Sequence, residues 1–244
     1  MTLKTFEGNK VPLVNFKIRE NDDWKTLTTQ ELFENKTVVA FSLPGAFTPT
    51  CSSTHLPRYN ELAQAFFQNG VDEIICLSVN DAFVMNEWAK NQESQNIRLL
   101  PDGNGEFTEQ LGMLVDKSEL GFGKRSWRYS MLVKNGVVEK AFIEPDQPGD
   151  PFEVSDADTM LKYINPKAGK PDQVAIFTRE GCSFCAKAKE ALTKAGLDYV
   201  EVPLSHQTRS RIIGAVTGEQ TVPQIFINGN YIGGSEALYN YLSN

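Results

Sequence analysis

Apolar residues in the first two thirds of the chain form short continuous runs separated by stretches with helical spacing. Residues 37–43 and 73–79 are nearly uninterrupted apolar runs, which predict two central, buried strands. Between them, apolar side chains recur every three or four positions, so residues 50–69 are predicted to form a helix with one apolar face. The apolar positions of that face are Leu56, Tyr59, Ala63 and Phe66.

The beginning of this helix places one cysteine in an unusual position. Thr48 suits the N-cap and Pro49 the first helical residue, whereas Pro57 is expected to kink the helix because it has no N–H. Cys51 then lies in the first turn, where unpaired N–H groups and the helix dipole favour a thiolate. This position fits either a reactive cysteine or a small buried side chain.

Further along, the pattern predicts a hairpin, a closing helix and a second domain. Residues 130–133 and 137–143 flank an Asn-Gly turn signal, and residues 154–164 have helical spacing. Residues 165–171 contain two prolines and one glycine and are predicted to be an exposed linker between residues 1–164 and 172–244. The elements expected after it are strand 173–178, helix 182–195, strand 198–202, helix 207–216, hairpin 224–232 and helix 235–242.

The alternation of strands and helices predicts an α/β fold, with a mixed sheet flanked by helices in each domain. The chain has 244 residues and a net charge of −7, which argues against nucleic acid as a partner. Its apolar runs are too short for the roughly 18 residues that a membrane span needs, and the N-terminus lacks a secretory pattern. We therefore expect a cytoplasmic protein that binds neither membrane nor nucleic acid.

The segment that ends at Cys51 reads PGAFTPTC and continues SSTHLP. Its Pro-x-x-x-Thr-x-x-Cys spacing, from Pro44 through Thr48 to Cys51, resembles the active-site motif of the peroxiredoxins, and the longer run resembles their atypical type II members. The run VDEIICLSVND and the Tyr-Ser-Met that follows Arg128 extend the resemblance over most of residues 1–164. The resemblance implies a thioredoxin-like core with an N-terminal elaboration.

The resemblance also implies a role for each residue of this motif. Cys51 would be the peroxidatic cysteine, which attacks the peroxide and becomes a sulfenic acid. Thr48 would hydrogen-bond the peroxide and the thiolate, and Pro44 would shield the sulfur from water. Arg128 would stabilise the thiolate and orient the peroxide, because a breaking O–O bond develops charge that fixed donors stabilise. Without the resemblance, Arg128 would be expected in a surface ion pair.

Two other residues of this domain invite a chemical interpretation. His55 lies one helical turn after Cys51, but Cys–His hydrolases usually hold the histidine far away in sequence, so we interpret His55 as a structural residue near the pocket mouth. Cys76 is interpreted as a small buried hydrophobe, with a resolving cysteine as the alternative. Atypical type II members often place a resolving cysteine near the C-terminal end of the domain. Residues 151–155 contain none, which predicts an external thiol.

The second candidate site is the run FTREGCSFC, in which Cys182 and Cys185 open a helix after a strand and a short loop. Cys182 has the exposed N-terminal position, where the helix dipole and Arg179 favour a thiolate, and Cys185 is one turn further in. This asymmetry suits an attacking and a resolving thiol that form a disulfide. A Cys-x-x-Cys pair is also half of a zinc site, but the chain has no second pair, so no metal is expected.

Residues 172–244 resemble a glutaredoxin over nearly their whole length. Thr221, Val222 and Pro223 match the Thr-Val-Pro of that family, which implies a cis-proline beside the active site and a Val222 backbone that pairs with glutathione. Arg179 matches a lysine near the glycyl carboxylate of glutathione. Phe184 replaces the usual tyrosine of the active-site loop and is included among the residues that contact glutathione.

A Gly-Gly-Ser-Glu segment completes the resemblance. Gly234 and Ser235 would present free N–H groups to the γ-glutamyl carboxylate at a helix N-terminus, and Glu236 would take its ammonium group. Without the resemblance the two glycines would be an ordinary turn. His206 is interpreted as a solvated loop residue.

Together the two sites predict a glutathione-dependent thiol peroxidase that reduces hydrogen peroxide and organic hydroperoxides. Glutathione is the expected co-substrate, with glutathione reductase as an indirect partner and no bound cofactor. Because the linker is short, transfer between subunits of a homo-oligomer, a dimer or a tetramer, is expected. The alternatives are a disulfide reductase with a docking domain, and a redox sensor or iron–sulfur carrier.

Overall fold

A computed structural model describes residues 5–205 and 208–243, so His206 lies outside the described residues. The chain divides into two compact units, the first ending at Gly169 and the second beginning at Lys170. This division falls within residues 165–171, the segment expected to be the linker. None of the described helices is long and apolar enough to cross a membrane.

The first unit is built on a five-stranded sheet with two small antiparallel ribbons beside it. Its strands are β1 Asn15–Glu20, β2 Asp23–Thr28, β3 Thr37–Ser42, β4 Glu73–Ser78, β5 Arg98–Pro101, β6 Leu114–Asp116, β7 Lys124–Ser126, β8 Tyr129–Lys134 and β9 Val137–Ile143. Its helices are α1 Thr29–Phe33, α2 Leu56–Glu61, α3 Ala63–Gln68, α4 Ala82–Asn91, α5 Glu106–Gln110 and α6 Ala157–Ile164.

The main sheet has the order β5-β4-β3-β8-β9, with β3 parallel to β4 and antiparallel to β8. Its centre is covered on both faces, which is why β3 and β4 appear in the sequence as continuous apolar runs. Val39 and Phe41 of β3 face one core, and Val38 and Ala40 face the other. The β1–β2 hairpin is the N-terminal elaboration expected from the sequence.

The helix predicted over residues 50–69 is not continuous. Cys51–His55 form one turn of π-helix, in which the Leu56 N–H reaches back five residues to the Cys51 carbonyl. Pro57 follows directly and cannot donate to the carbonyl four residues back, so the regular α-helical pattern is interrupted where the sequence predicted a kink. A second break at Leu62 separates α2 from α3.

The second unit is a four-stranded sheet flanked by three helices, with strands in the order β11-β10-β12-β13. Its elements are β10 Val174–Thr178, α7 Ser183–Lys194, β11 Val200–Pro203, α8 Arg209–Thr217, β12 Gln224–Ile227, β13 Asn230–Gly233 and α9 Ser235–Leu242. Strand β10 is parallel to β11 and antiparallel to β12, so the sheet is mixed as predicted. Asn228 and Gly229 both have positive φ, which confirms the predicted hairpin turn.

Several boundaries differ by a few residues because a capping side chain precedes the helix. Helix α6 was expected from residue 154 but begins at Ala157, since the Asp156 carboxylate accepts from the Thr159 N–H. Helix α7 begins after Cys182, whose sulfur accepts from the Cys185 N–H at 3.2 Å. Cys182 is therefore the N-cap rather than a residue of the helix.

Candidate functional site

The first site forms where β3 ends and the helical segment begins. Cys51 is completely buried at the start of the π-helical turn. The loop that leads to it is held by Asn80, whose side-chain oxygen accepts from the Ala46 N–H at 3.1 Å and from the Ser78 hydroxyl at 2.7 Å. This anchoring fixes the approach of the chain to Cys51.

Arg128 lies against the sulfur of Cys51. Its Nη2 is 3.6 Å from the Cys51 Sγ, and its side chain is only 1% exposed. Burial alone would lower the pKa of Arg128, but the hydrogen bond to Asp150 and the charges of Cys51 and Asp150 outweigh burial and raise it. A permanently charged guanidinium therefore faces the sulfur. Arg128 also forms an ion pair with the partly exposed Asp150, but the guanidinium itself is buried rather than on the surface.

His55 is not at the pocket mouth, where the sequence had placed it. It is fully buried, with Nδ1 at 3.0 Å from Nη1 of Arg128 and Nε2 at 3.2 Å from the Ser155 carbonyl. Since the arginine can only donate, Nδ1 accepts and Nε2 carries the proton. Burial, with the charge of Arg128 second, lowers the pKa of His55 to about 3, so the ring is neutral and holds the guanidinium in place.

A buried carboxylate supports this histidine from the far side. Glu144 follows β9 and accepts from the backbone N–H groups of Glu153, Val154 and Ser155 at 2.8, 2.9 and 2.8 Å. These bonds position the segment whose Ser155 carbonyl accepts the hydrogen bond from Nε2 of His55. The polar chain thus runs from Glu144 through Ser155, His55 and Arg128 to the sulfur.

The other predicted residues of the first site lie in the same region. Pro44 is buried, and Thr48 is half-buried. The Thr48 hydroxyl donates to the Gly45 carbonyl at 2.9 Å instead of capping the helix, so its own lone pairs remain available as acceptors. Cys76 is fully buried in β4, as predicted, and burial raises the pKa of its thiol well above the usual value.

Because His55 is buried in its neutral form, acidification should lower the stability of the first unit. In the unfolded chain this histidine has its ordinary pKa of 6.5 and is protonated below that pH. In the folded protein its pKa is about 3, so it stays neutral down to about pH 3. The free energy of unfolding of the first unit should therefore fall by about 1.4 kcal/mol per pH unit between pH 6 and pH 4 from this group.

The matched variant is His55→Asn, whose amide oxygen can still accept from Arg128. Urea unfolding at several pH values should show a smaller acid loss for this variant, by roughly the same amount per pH unit. Carboxylates contribute equally to both proteins, so the difference isolates His55. Equal slopes would mean that His55 is not buried in its neutral form.

The second site lies at the N-terminal end of α7. Cys182 is 9% exposed and Cys185 2%, so Cys182 is the more accessible of the two but far less exposed than predicted. It is covered because its sulfur lies 3.8 Å from the carbonyl of Val222. Burial, followed by the hydrogen bond to Cys182, raises the pKa of Cys185 to about 11, which keeps Cys185 protonated. None of the four cysteines forms a disulfide in this structure.

A cavity of about 880 Å³ opens beside Cys182. It brings together the residues that the sequence singled out for this site, apart from Cys185, namely Arg179, Cys182, Phe184, Thr221, Val222, Pro223, Gly234, Ser235 and Glu236. The Val222–Pro223 peptide bond is cis, as the resemblance implied. Gly233 has φ of 118°, and an added Cβ would lie 3.0 Å from that of Ala237, so the turn into α9 requires glycine.

Two further residues, which the sequence analysis did not predict, line the cavity beside Cys182. Gln224 is buried, donates to the Thr221 carbonyl at 2.8 Å and accepts from the Tyr231 hydroxyl at 2.6 Å, which braces the wall of the cavity. Arg209 also lines the cavity. Gln224 could have been predicted as a site residue because it directly follows the Thr-Val-Pro run. Nothing in the sequence around Arg209 indicated that this residue lines the cavity.

Metal ligands are not clustered in the part of the chain that the structure describes: across residues 5–205 and 208–243 no group of three or more His, Cys, Asp or Glu side chains could hold an ion. Each site places a cysteine beside an arginine: Cys51 contacts Arg128, and Cys182 lines the same cavity as Arg179.

Comparison with known proteins supports the same division of the chain. Residues 6–161 match the Redoxin family, and residues 174–232 match the Glutaredoxin family. The hybrid peroxiredoxin hyPrx5 of Haemophilus influenzae is 61% identical over 241 residues, covering 99% of this chain and 100% of that protein. A peroxiredoxin of Synechocystis is 59% identical over 168 residues, which are 64% of this chain and 89% of the relative.

Among solved structures, reduced Prx3 of Vibrio vulnificus in complex with hydrogen peroxide matches with a TM-score of 0.62 and 40% identity. The match covers 66% of this chain and 99% of the Vibrio chain. The 1-Cys peroxiredoxin of Plasmodium falciparum matches with a TM-score of 0.63 and 36% identity, over 66% of this chain and 99% of its own.

Proposed function

The chain belongs to the redoxin family, as a peroxiredoxin that carries a glutaredoxin domain, and we propose that it reduces peroxides at the expense of glutathione. The different surroundings of the two cysteines in the first unit carry the proposal. Arg128 lies 3.6 Å from the sulfur of Cys51, while Cys76, the other cysteine of the first unit, is locked in a central strand as a buried thiol. An oxidised Cys51 would therefore need a thiol from outside this unit, and the second unit is built for glutathione chemistry.

In the first step the Cys51 thiolate attacks one oxygen of the peroxide and forms a sulfur–oxygen bond. The O–O bond breaks, the alcohol or water leaves after taking up a proton, and Cys51 becomes a sulfenic acid. Arg128 is the donor proposed to stabilise the charge that develops on the oxygens. The Thr48 hydroxyl, which donates to the Gly45 carbonyl, is proposed to accept from the O–H of the peroxide, and Pro44 excludes water from the sulfur.

Glutathione completes the cycle in three exchanges. The first glutathione thiol displaces water from the sulfenic acid and forms a mixed disulfide with Cys51. The Cys182 thiolate attacks the glutathione sulfur, which releases Cys51 and leaves Cys182 glutathionylated. A second glutathione removes that group as glutathione disulfide. The sum is one peroxide and two glutathione molecules converted to one alcohol, one water and one glutathione disulfide.

The cavity beside Cys182 supports glutathione as the thiol. We propose that the Val222 backbone pairs with the cysteinyl part of glutathione, between Thr221 and Pro223. Gly234 and Ser235 at the start of α9 offer N–H groups to the γ-glutamyl carboxylate. Glu236, next to Ser235, takes the ammonium group of the same γ-glutamyl residue. Arg179 binds the glycyl carboxylate, and Phe184 also contacts glutathione.

Cys185 has a different part in the proposed cycle. Its pKa of about 11 keeps it a thiol near neutral pH, so it does not compete with Cys182 as nucleophile. It is placed to form a disulfide with Cys182 when glutathione is scarce. We further propose that the enzyme acts in the cytoplasm as a homo-oligomer, a dimer or a tetramer, in which tethering raises the effective concentration of the second domain.

Stoichiometry tests the glutathione dependence directly. With glutathione as sole reductant, each peroxide consumed should yield one glutathione disulfide, for hydrogen peroxide and for an alkyl hydroperoxide alike. Peroxide loss and disulfide formation, the latter measured with glutathione reductase, should rise together. A protein that turns over with thioredoxin but not with glutathione would contradict the proposal.

Two other functions remain distinguishable from this one. A disulfide reductase that uses the first unit only for docking would keep full activity without Cys51. A redox sensor or iron–sulfur carrier would be purified as a brown protein with the absorbance of a cluster. We favour the peroxidase because the Arg128 guanidinium faces the buried Cys51 sulfur, an arrangement that docking does not require.

A further inference from the structure

Arg128 has a second anionic partner besides the sulfur. Both carboxylate oxygens of Asp150 lie 2.5 Å from Nη2, the same nitrogen that contacts Cys51 at 3.6 Å. The side chain of Arg128 is 1% exposed and that of Asp150 is 40% exposed. The carboxylate therefore occupies the solvent side of the guanidinium, and the sulfur lies on the buried side.

The loop that carries Asp150 is held at several points, so the carboxylate is placed by the fold. The Lys117 ammonium donates to the Gly149 carbonyl at 3.3 Å on one side of Asp150. On the other side, Phe152 packs 5.4 Å from the guanidinium of Arg128 and 4.8 Å from the ring of His55. Glu144 then fastens the backbone that follows, as described above.

This arrangement changes the charge that an approaching substrate meets. A bare guanidinium at the pocket would attract any anion, including hydroperoxides that carry a carboxylate. With Asp150 bound, the pair is electrically neutral and its exposed member is negative. The carboxylate does not hinder the approach of a neutral peroxide, whereas it repels an anionic peroxide before that peroxide reaches the sulfur.

We propose that Asp150 determines the charge selectivity of the peroxidatic pocket, admitting neutral hydroperoxides and repelling anionic ones. The inference rests on the proposed function only in taking Cys51 as the residue that reacts with peroxide. It does not involve glutathione or the second unit, so it can fail while the glutathione cycle stands.

The test uses two substrates that differ by one charge and one methyl group: a short alkyl hydroperoxide with a terminal carboxylate, and its methyl ester. Single-turnover oxidation of Cys51 is followed without glutathione by quenching, alkylating free thiols and quantifying them by mass spectrometry. The wild-type protein should react faster with the ester. In Asp150→Asn, which keeps a hydrogen-bond acceptor but removes the charge, the ester-to-acid ratio should fall by about tenfold, as expected for unit charges about 6 Å apart in a half-exposed site.

Glu153→Gln is the matched control, because it removes one negative charge from an exposed position of the same loop. Its ester-to-acid ratio should stay close to that of the wild-type protein. An unchanged ratio in Asp150→Asn, or an equal fall in both variants, would overturn the selectivity role. If Asp150→Asn instead slows acid and ester alike, Asp150 only positions Arg128. Failure of hydrogen peroxide to oxidise Cys51 in the wild-type protein would refute the proposed function itself.

Discussion

Replacing Cys51 by Ser should abolish peroxide consumption with any reductant. The Cys51 sulfur is buried beside the guanidinium of Arg128, and the hydrogen bonds through His55 to Ser155 hold that guanidinium in position. A serine hydroxyl at this place is not ionised near neutral pH and is a poor nucleophile toward oxygen. We expect the second-order rate constant for hydrogen peroxide to fall by at least about 10⁴-fold, measured by stopped-flow peroxide consumption.

The matched control is Cys76→Ser, since Cys76 is the other cysteine of the first unit. Burial raises the pKa of this thiol, so it does not act as a nucleophile, and its variant should keep the full rate of peroxide reduction. Some loss of stability is expected, because a hydroxyl replaces a thiol in an apolar core. Equal loss of the peroxide reaction in both variants would show that Cys76 takes part in the cycle.

Replacing Cys182 by Ser should separate the two halves of the cycle. The first oxidation of Cys51 requires only the first unit, so its single-turnover rate should be unchanged. Steady-state turnover with glutathione should fall by at least about 100-fold, because no thiolate remains to take the glutathionyl group. Mass spectrometry after peroxide and glutathione should then find one glutathionyl group per chain, on the proteolytic peptide that contains Cys51.

Cys185→Ser is the matched control for this experiment. The proposed route passes through a Cys182–glutathione mixed disulfide that a second glutathione resolves, so this variant should retain most of its turnover. If Cys185→Ser is as inactive as Cys182→Ser, the protein uses the Cys182–Cys185 disulfide instead. If Cys182→Ser keeps full turnover, the second unit is not the reductant.

Local patterns were sufficient for most elements of the fold. The continuous apolar runs predicted β3 and β4 because both faces of the central strands are covered. The Asn-Gly pair at 228–229 predicted the β12–β13 turn, because both residues must adopt positive φ. In the helix predicted over residues 50–69, the kink expected at Pro57 coincides with the π-helical turn that precedes it, whereas the break at Leu62 was not predicted.

Local patterns identified which residues have the right chemistry and which of them share a short segment: Cys51 near a helix start, and Cys182 three positions before Cys185. The residues that surround these cysteines come from distant parts of the chain and are known from the three-dimensional packing. His55 and Arg128 are 73 positions apart, and His55 and Ser155 are 100 apart, so their hydrogen bonds follow from strand order and loop packing rather than from spacing. Asp150 reaches Arg128 for the same reason. Periodicity records which face of an element is covered, but the partner of a buried polar group is set by elements that are distant in the chain.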